Sequence, residues 1–296
     1  MSATTPIPPA LREWVQAIVG PVSERDVSHN RPNSRVWELT YATGRAFAKL
    51  SPNPTSFGRE TRALREVAPG LKPGTVPLLR AADAHQQALL LSLVLGLPVK
   101  SLSLASGGER TLHRHAGGWL RRFHGGPSDL SVQDRKDAAA EIARAAADAD
   151  KHLERTGDLI SAGERRTVRW HAAELGQIGP LPAAYIHGDF QERNWLLDAD
   201  RASNAFGAVD LERARPHAAF ADVVLLTCGP WVGRPDLEQA FWDGYGRGLT
   251  SDEERALRCL SALDAASAIA WGVPNGDHEI VERGRATQAR LEVPTA

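Results

Sequence analysis

Hydrophobic and polar positions along the first third of the chain repeat with two different periods. Alternation is typical of strands with one buried face, whereas spacings of three and four residues are typical of amphipathic helices. The pattern predicts a helix that ends at Gly20-Pro21, a strand pair joined by Ala42-Thr43-Gly44, and a helix that ends before Pro69-Gly70. Two further strands follow. The predicted ranges are 11–19, 35–39, 45–50, 56–67, 76–81 and 87–93. We therefore expect a small, mostly antiparallel sheet with a helix packed on it.

The helical period dominates after Leu97-Pro98 and is interrupted by one segment of strand character, 185–209. The predicted helices are 110–123, 132–155, 161–175, 236–248 and 252–271. A sheet-rich part followed by a helix-rich part with an inserted hairpin is an α+β architecture. We expect an N-terminal nucleotide-binding lobe over 1–95, a hinge near 92–97, and a helical C-terminal lobe over 96–296 with the catalytic loop and acceptor site.

Composition narrows the possible partners. With 296 residues and 42% hydrophobic content the chain can bury a substantial core, and its net charge of −1 gives no reason to expect nucleic acid or an anionic membrane. Two cysteines, Cys228 and Cys259, form neither a disulfide framework nor a four-thiolate zinc site, which fits a cytoplasmic protein. The first residues lack the features of a signal peptide, and apolar runs such as 88–95 are too short to span a bilayer. Nothing in the sequence predicts an oligomeric state.

The clearest chemical signal is His187-Gly188-Asp189, followed by Asn194 five residues after the aspartate. Protein kinases carry His-Arg-Asp with an asparagine at that offset, where the aspartate accepts the substrate proton and the asparagine holds magnesium. A loop of this length lets the aspartate face an acceptor hydroxyl while the asparagine reaches the metal. His187 is itself a candidate general base, but its position two residues upstream favours a role in orienting the loop by hydrogen bonding.

The polar turn 198–204 lies between two runs of strand character. An antiparallel hairpin brings the residue before its first strand next to the residue after its second. Asn194 and Asp210 should therefore meet at the open end of this hairpin. An amide oxygen and a carboxylate together form the hard oxygen site that Mg²⁺ prefers. We expect a magnesium site there.

These motifs resemble those of the aminoglycoside phosphotransferase and choline kinase-like superfamily, whose members share the protein-kinase fold. His187-Gly188-Asp189 with Asn194 matches the catalytic loop of that family, and Asp210-Leu211-Glu212 takes the place of its second metal motif. The resemblance covers nearly the whole chain. It implies a bilobal kinase-like fold, ATP or GTP as co-substrate, and Mg²⁺ as cofactor. It further implies that Asp189 is the catalytic base or orienting group and that Asn194 and Asp210 bind the magnesium.

The resemblance extends to the N-terminal lobe. Lys49, one of five lysines, ends a strand as the phosphate-binding lysine of the family does, and Glu60 resembles the helix glutamate that holds that lysine. The segment 30–34 takes the position of the phosphate-covering loop, although it lacks the glycine-rich pattern. Main-chain groups of the connector 91–96 are implied to pair with adenine. The nucleotide-binding residues that the resemblance implies are Lys49, Glu60, Ser34, Ser92 and Val94.

The acceptor is less well defined. The resemblance favours an antibiotic such as an aminoglycoside, whose cationic groups need acidic partners. The acidic candidates are Glu212, Asp264, Asp277 and Glu279. Because many arginines accompany them, a sugar, an amino alcohol, a nucleoside or another class of antibiotic is an alternative acceptor. A catalytically inactive binding module of the pseudokinase type is a further alternative, against which the intact catalytic and metal residues speak.

Overall fold

The computed structural model describes residues 5–28, 35–126, 130–198 and 205–292. The chain divides into two compact units, of which the first comprises Met1–Ser103 and Glu192–Arg215 and the second Leu104–Gln191 and Pro216–Ala296. This division differs from the predicted lobes in that the first unit takes in a segment from the middle of the chain. The lobe boundary at 95/96 stays a prediction.

The elements follow one another in the order expected of an α+β chain. The strands are β1 (Ser23–Asp26), β2 (Arg35–Tyr41), β3 (Gly44–Leu50), β4 (Leu79–Asp83), β5 (Ala88–Ser92), β6 (Leu97–Pro98), β7 (Ala183–Ile186), β8 (Trp195–Asp198), β9 (Ala205–Ala208) and β10 (Arg215–Ala218). The helices are α1 (Pro9–Val19), α2 (Pro54–Glu66), α3 (Ser106–Gly125), α4 (Val132–Ala147), α5 (Ala149–Thr156), α6 (Ala162–Gln177), α7 (Val224–Thr227), α8 (Pro235–Tyr245), α9 (Ser251–Asn275) and α10 (His278–Leu291). The predicted fold class is confirmed.

The first unit is built on an antiparallel sheet with the strand order β1-β2-β3-β5-β4. Successive side chains of β3 point to opposite faces. Ala46 and Ala48 are fully buried in a cluster with Leu11 and Val15 of α1, so one face of the sheet forms an apolar core with that helix. Lys49, the next residue along the strand, therefore belongs to the opposite face. The alternation thus separates the apolar core from the candidate chemistry.

A second, three-stranded sheet of the first unit has the order β6-β8-β9. The hairpin predicted around Asn194 and Asp210 is confirmed, because Trp195 of β8 pairs with Ala208 of β9 and the Val209 N–H donates to the Asn194 carbonyl, 3.0 Å away. The turn that closes it, 199–204, lies outside the described residues.

Four elements differ clearly from the sequence-based expectation. The strand predicted over 76–81 begins only at Leu79, because Pro77 has no N–H to donate to a ladder. The helix predicted over 132–155 is wrong as a single helix: it breaks at Asp148, whose ψ of 4° is not helical. β1 was not predicted, because its sequence Ser-Glu-Arg-Asp has no apolar alternation and pairs only at the edge of the sheet. α10 was missed as well.

Within the described part of the chain, α9 is the one helix long and apolar enough to cross a membrane, although 61% of its most apolar window is buried inside the protein. The expectation that apolar runs such as 88–95 are too short to span a bilayer did not address this helix. It considered uninterrupted apolar runs, whereas α9 intersperses its apolar residues with polar ones such as Arg258 and Asp264.

Helices α3 and α8 of the second unit approach each other closely at two glycines. A Cβ on Gly117 would overlap the carbonyl oxygen of Phe241, and a Cβ on Gly244 would overlap the carbonyl oxygen of Arg114. At each of these glycines, the backbone of the other helix occupies the space that a side chain would need. Helices α3 and α8 also carry aromatic residues that pack around the catalytic loop. Their close approach therefore determines how far apart these aromatic side chains lie.

Replacing Gly117 by alanine should push α3 and α8 apart. We expect a loss of about 1–3 kcal/mol in the free energy of unfolding, the usual cost of overpacking, measured by urea denaturation. Gly118→Ala is the matched control, because the nearest heavy atom to a Cβ there is 3.5 Å away. It should leave stability unchanged or raise it by up to about 1 kcal/mol through helix propensity. Equal stabilities of the two variants would contradict the close approach.

Candidate active site

Lys49 is the centre of a buried charge cluster in the first unit. It is 4% exposed, and β3 holds it opposite Val36 of β2 and Leu89 of β5. Its Nζ lies 2.8 Å from Glu60 Oε2 of α2 and 2.6 Å from Asp210 Oδ1, which follows the β8–β9 hairpin. The sequence-predicted pairing of Lys49 with Glu60 is therefore present.

Glu212 joins the same cluster. Its Oε2 lies 3.2 Å from Lys49 Nζ, and its side chain is 20% exposed. Three carboxylates, two of them from one tripeptide, thus surround one ammonium. The structure groups Glu212 with the nucleotide and metal residues, while its sequence-predicted role in acceptor binding stays a prediction.

Burial and charge act in opposite directions in this cluster. Burial alone would lower the pKa of Lys49, but the neighbouring carboxylates, Asp210 foremost, raise it above its ordinary value. Burial raises the pKa of Glu60 to about 7; the Lys49 charge opposes this rise, and Asp210 adds to it by repulsion. The ammonium is held charged by several anions, whereas Glu60 shares one cation with two like-charged neighbours.

The cluster fits a divalent cation. Carboxylate oxygens of Glu60, Asp210 and Glu212 lie within 4.8 Å of one another. With all three ionised, these groups and the single Lys49 ammonium leave two negative charges. Carboxylate oxygens are the donors that Mg²⁺ prefers, and the hairpin pairing brings the backbone of Asn194 beside that of Val209, next to Asp210. Asp210 is thus one of three carboxylates with suitable chemistry, and the metal-binding roles of Asn194 and Asp210 stay predictions.

Asp210 is held in an unusual backbone conformation, with φ at +71°. Residues other than glycine rarely adopt this left-handed region, although aspartate tolerates it better than most. Such conformations cost free energy and persist where the surroundings enforce them, which is often at functional sites. At Asp210 the conformation accompanies the contact of the carboxylate with Lys49.

The predicted adenine-binding connector packs against β8. A Cβ on Gly96, whose φ is +117°, would lie 2.7 Å from the Leu197 carbonyl carbon. Only glycine therefore fits at this position. Ser92 ends β5, and both its N–H and its hydroxyl are used by Leu78, at 2.9 and 2.8 Å. Val94 is buried against Gly207. Ser34, predicted to contact phosphate, lies outside the described residues.

The catalytic loop belongs to the second unit and directly follows β7. Asp189 is 3% exposed, its N–H donates to His187 Nδ1 at 3.3 Å, and its Oδ1 accepts a hydrogen bond from Gln191. The His187 ring is fully buried among Trp119, Phe123 and Phe190. This geometry fits a residue that orients the loop, as predicted for His187, while the catalytic role of Asp189 stays a prediction.

A single carboxylate, Asp222, fixes the backbone of this loop. Its Oδ2 accepts the N–H of His187 at 2.8 Å, and its Oδ1 accepts the N–H of Gly188 at 2.6 Å. Gly188 has a φ of +78°, which explains why this position of the motif is glycine. Asp222 therefore holds the loop in place through hydrogen bonds to its main chain.

Asp222 in turn is held by His124, the last histidine of α3. His124 Nε2 lies 2.9 Å from Asp222 Oδ2, and its Nδ1 lies 2.8 Å from the Tyr245 hydroxyl. Burial alone would raise the pKa of Asp222, but the hydrogen bonds and charges around it, His124 first, bring the pKa below its ordinary value. Burial raises the pKa of Tyr245 to about 12, so its hydroxyl remains a donor.

The contact between His124 and Asp222 was not predicted from the sequence. A histidine in the last turn of a helix and an aspartate 98 residues later carry no local signal of a shared contact. The predicted acceptor residue Asp264 pairs with Arg283 of α10, 3.1 Å away. Its role in acceptor binding stays a prediction.

Asp222→Asn should loosen the catalytic loop, because an amide nitrogen replaces one of two oxygens that both accept hydrogen bonds. We expect a loss of about 1–3 kcal/mol in the free energy of unfolding and faster hydrogen exchange at His187 and Gly188. The difference should shrink only below about pH 4, since a carboxylate with a lowered pKa contributes stability above its unfolded pKa. Asp243→Asn, which removes an exposed ion pair between Asp243 of α8 and Arg114, is the control. Unchanged exchange at both amides would contradict this anchor.

Comparisons with known proteins establish the family and the fold of the chain. None of the curated protein sequences compared with the chain matches it significantly. Among solved structures, a macrolide 2′-phosphotransferase from Brachybacterium faecium is 19% identical, covers 98% of this chain and 100% of its own, and has a TM-score of 0.61. Spectinomycin phosphotransferase APH(9)-Ia, solved with ADP and spectinomycin, is 16% identical over 97% of this chain and 92% of its own, with a TM-score of 0.63.

A choline/ethanolamine kinase family protein from Mesorhizobium loti is 16% identical over 95% of this chain and 92% of its own, with a TM-score of 0.61. These likenesses confirm the predicted fold. The model of the phosphotransferase enzyme family matches residues 27–260, which is most of the chain. The superfamily resemblance read from the motifs is thereby confirmed, and the chain belongs to the phosphotransferase enzyme family.

Proposed function

We propose that this phosphotransferase transfers the γ-phosphoryl group of ATP, or of GTP, to a hydroxyl group of a small molecule. The observation that carries the proposal is the buried Lys49 ammonium with Glu60, Asp210 and Glu212 around it. Burying such a charge cluster costs desolvation free energy, so the cluster is weak evidence for a purely stabilising role. The ADP in the spectinomycin phosphotransferase complex supports an adenine nucleotide as co-substrate.

In this proposal the cluster receives the phosphates. Lys49 contacts the non-transferred phosphates, and Glu60 keeps the ammonium in position. Asn194 and Asp210 hold Mg²⁺, which would neutralise the charge that develops on the phosphate oxygens. Main-chain groups of Ser92 and Val94 bind the adenine, and Ser34 with its loop is proposed to cover the phosphates.

Asp189 orients the acceptor hydroxyl and accepts its proton. A bond then forms between the acceptor oxygen and the γ-phosphorus while the bond to the leaving diphosphate oxygen breaks. Because the transition state of phosphoryl transfer is loose, positioning and electrostatics contribute more than base strength. The hydrogen bonds of Asp189 to His187 and Gln191 serve this positioning.

We propose an antibiotic such as an aminoglycoside as the acceptor class, with a sugar, amino alcohol or nucleoside as the alternative. Glu212 and Asp264 are the proposed contacts of a cationic acceptor. A panel of hydroxylated antibiotics and metabolites, incubated with Mg-ATP and read by mass spectrometry for a phosphate adduct, decides between the classes. If no panel member is phosphorylated in the presence of magnesium and no nucleotide is hydrolysed, the inactive binding module is favoured.

We also propose a cytoplasmic location, where ATP and Mg²⁺ are available. Cys228 and Cys259 are both free and buried, which is compatible with a reducing compartment.

Asp189→Ala should remove turnover and leave nucleotide binding intact, because the side chain acts on the acceptor hydroxyl alone. We expect kcat to fall by about 10²–10⁴-fold, measured with the acceptor that the panel identifies. The Kd of Mg-ADP, from calorimetry, should stay within about twofold. Asp150→Ala, which removes an exposed pair with Arg169 in the same unit, is the control. Full activity of the Asp189 variant would refute the assignment.

Glu212→Gln separates the two roles open to this residue. If Glu212 acts with the Lys49 cluster, the half-saturating Mg²⁺ concentration should rise about tenfold, equivalent to about 1.4 kcal/mol, with the KM of the acceptor unchanged. Glu66→Gln, an exposed α2 partner of Arg62, is the matched control. A higher acceptor KM at unchanged Mg²⁺ dependence would instead assign Glu212 to acceptor binding.

A further inference from the structure

The second unit contains a cavity of about 470 Å³ between α8, α9 and the end of α10. Its walls combine apolar side chains, among them Leu249 and Leu257, with an aromatic ring, that of Trp242, and with charged groups. Cavities of a few hundred cubic ångströms with this mixture of surfaces are typical of small-molecule sites. None of the residues to which we assign nucleotide, metal or acceptor roles lines it.

Four charged side chains line the cavity, and all of them except Glu238 are exposed. Glu238, Glu254, Arg258 and Arg290 line it, and within the described ranges none of the four forms a salt bridge. Other arginines of the same helices are paired: Arg255 with Glu174, Arg283 with Asp264 and Arg285 with Glu164. Two unpaired acids and two unpaired bases in one cavity balance to zero net charge.

One wall has the chemistry of an amine site. Trp242 is half-buried and held edge-on by Trp231 and Tyr245, and its Nε1 lies 3.4 Å from Glu238 Oε1. A fixed indole beside a carboxylate attracts an ammonium through the face of the ring and through charge. The α8 wall is therefore suited to the cationic end of a ligand.

Arginine forms the opposite part of the lining. Arg258 of α9 and Arg290 of α10 supply guanidinium groups, which bind carboxylates through paired hydrogen bonds. Thr227 and Ser261 also line the cavity, and Arg290 donates to the Thr227 carbonyl oxygen, 3.5 Å away. Their hydroxyl oxygens are buried and have no hydrogen-bond partner in the described part of the chain. The Cys228 thiol lies beside Ser261, and a thiol is a weak partner. These groups are suited to the anionic end of a ligand.

We propose that this cavity is a binding site for a small zwitterion, a molecule that carries an ammonium and a carboxylate on an apolar body, such as a free amino acid. Glu238 and Trp242 bind the ammonium, and Arg258 and Arg290 bind the carboxylate. A ligand with one charge would leave the opposite set of side chains uncompensated, whereas a zwitterion satisfies both. The apolar body lies against Leu257 and neighbouring apolar residues.

The site is distinct from the one proposed for phosphoryl transfer. Phe190, next to Asp189, packs on Trp119 of α3 and on Phe241 of α8, with ring centroids 5.6 and 6.5 Å apart. Consecutive residues of a helix point about 100° apart, so Phe241 faces the catalytic loop while Trp242 faces the cavity. Helix α8 separates the two, and the inference therefore goes beyond the proposed function.

Calorimetric titration of the full chain with each common amino acid tests the proposal. We expect at least one to bind, and its N-acetyl derivative and its methyl ester, which each remove one charge, to bind about tenfold more weakly or worse. Glu238→Gln and Arg290→Gln should each weaken binding by a similar factor. Arg285→Gln, on the same helix as Arg290 but outside the cavity, should leave the affinity unchanged.

Three results would overturn the proposal: no binding of any amino acid at millimolar concentration, equal affinity for the derivatives that carry one charge, or affinity unchanged in both folded cavity variants. The derivatives test the wild-type protein, so the outcome does not depend on the folding of a variant. Binding should persist in Asp189→Ala, which keeps a failure of this inference distinguishable from a failure of the proposed phosphotransfer.

Discussion

The structure depends on how one buried ammonium is compensated. An isolated lysine that is 4% exposed would lose its charge or destabilise the fold, because the interior solvates ions poorly. Lys49 keeps its charge because α2 and the β8–β9 hairpin each bring carboxylates to it. The elements of the first unit are thus tied by charge as well as by apolar packing. The excess of anions over cations fits the divalent metal that we propose for this cluster.

The catalytic loop is held by a second buried carboxylate, that of Asp222. Asp222 is also buried, but it is satisfied by two main-chain N–H groups and by His124, so it fixes backbone position without competing for a ligand. The left-handed conformation of Gly188 turns one of these N–H groups towards it. Positioning of this kind suits phosphoryl transfer, where placement of the hydroxyl contributes more than the strength of the base.

Features that depend on local geometry were predictable from the sequence, and features that depend on distant packing were not. The hairpin that brings Asn194 near Asp210 follows from strand alternation and a polar turn, and the Lys49–Glu60 pair follows from the kinase pattern of a strand lysine and a helix glutamate. β1 has no apolar alternation to reveal it, because an edge strand can be polar on both faces. The break at Asp148 ends an alanine-rich stretch of high helix propensity, where neither glycine nor proline marks a stop.

The same distinction explains why chemistry is easier to read from this sequence than specificity. Phosphoryl transfer requires a few residue types at fixed offsets within single loops, so its pattern survives as a motif. Recognition of a particular small molecule is assembled from side chains of separate helices, as Glu238, Arg258 and Arg290 of α8, α9 and α10 illustrate. Whether such a charge is paired or available depends on packing: Asp264 and Arg258 lie six residues apart on α9, yet only Asp264 has an ion-pair partner among the described residues. Whether a charged side chain is available to a ligand therefore depends on packing, which a structure reveals and a motif does not.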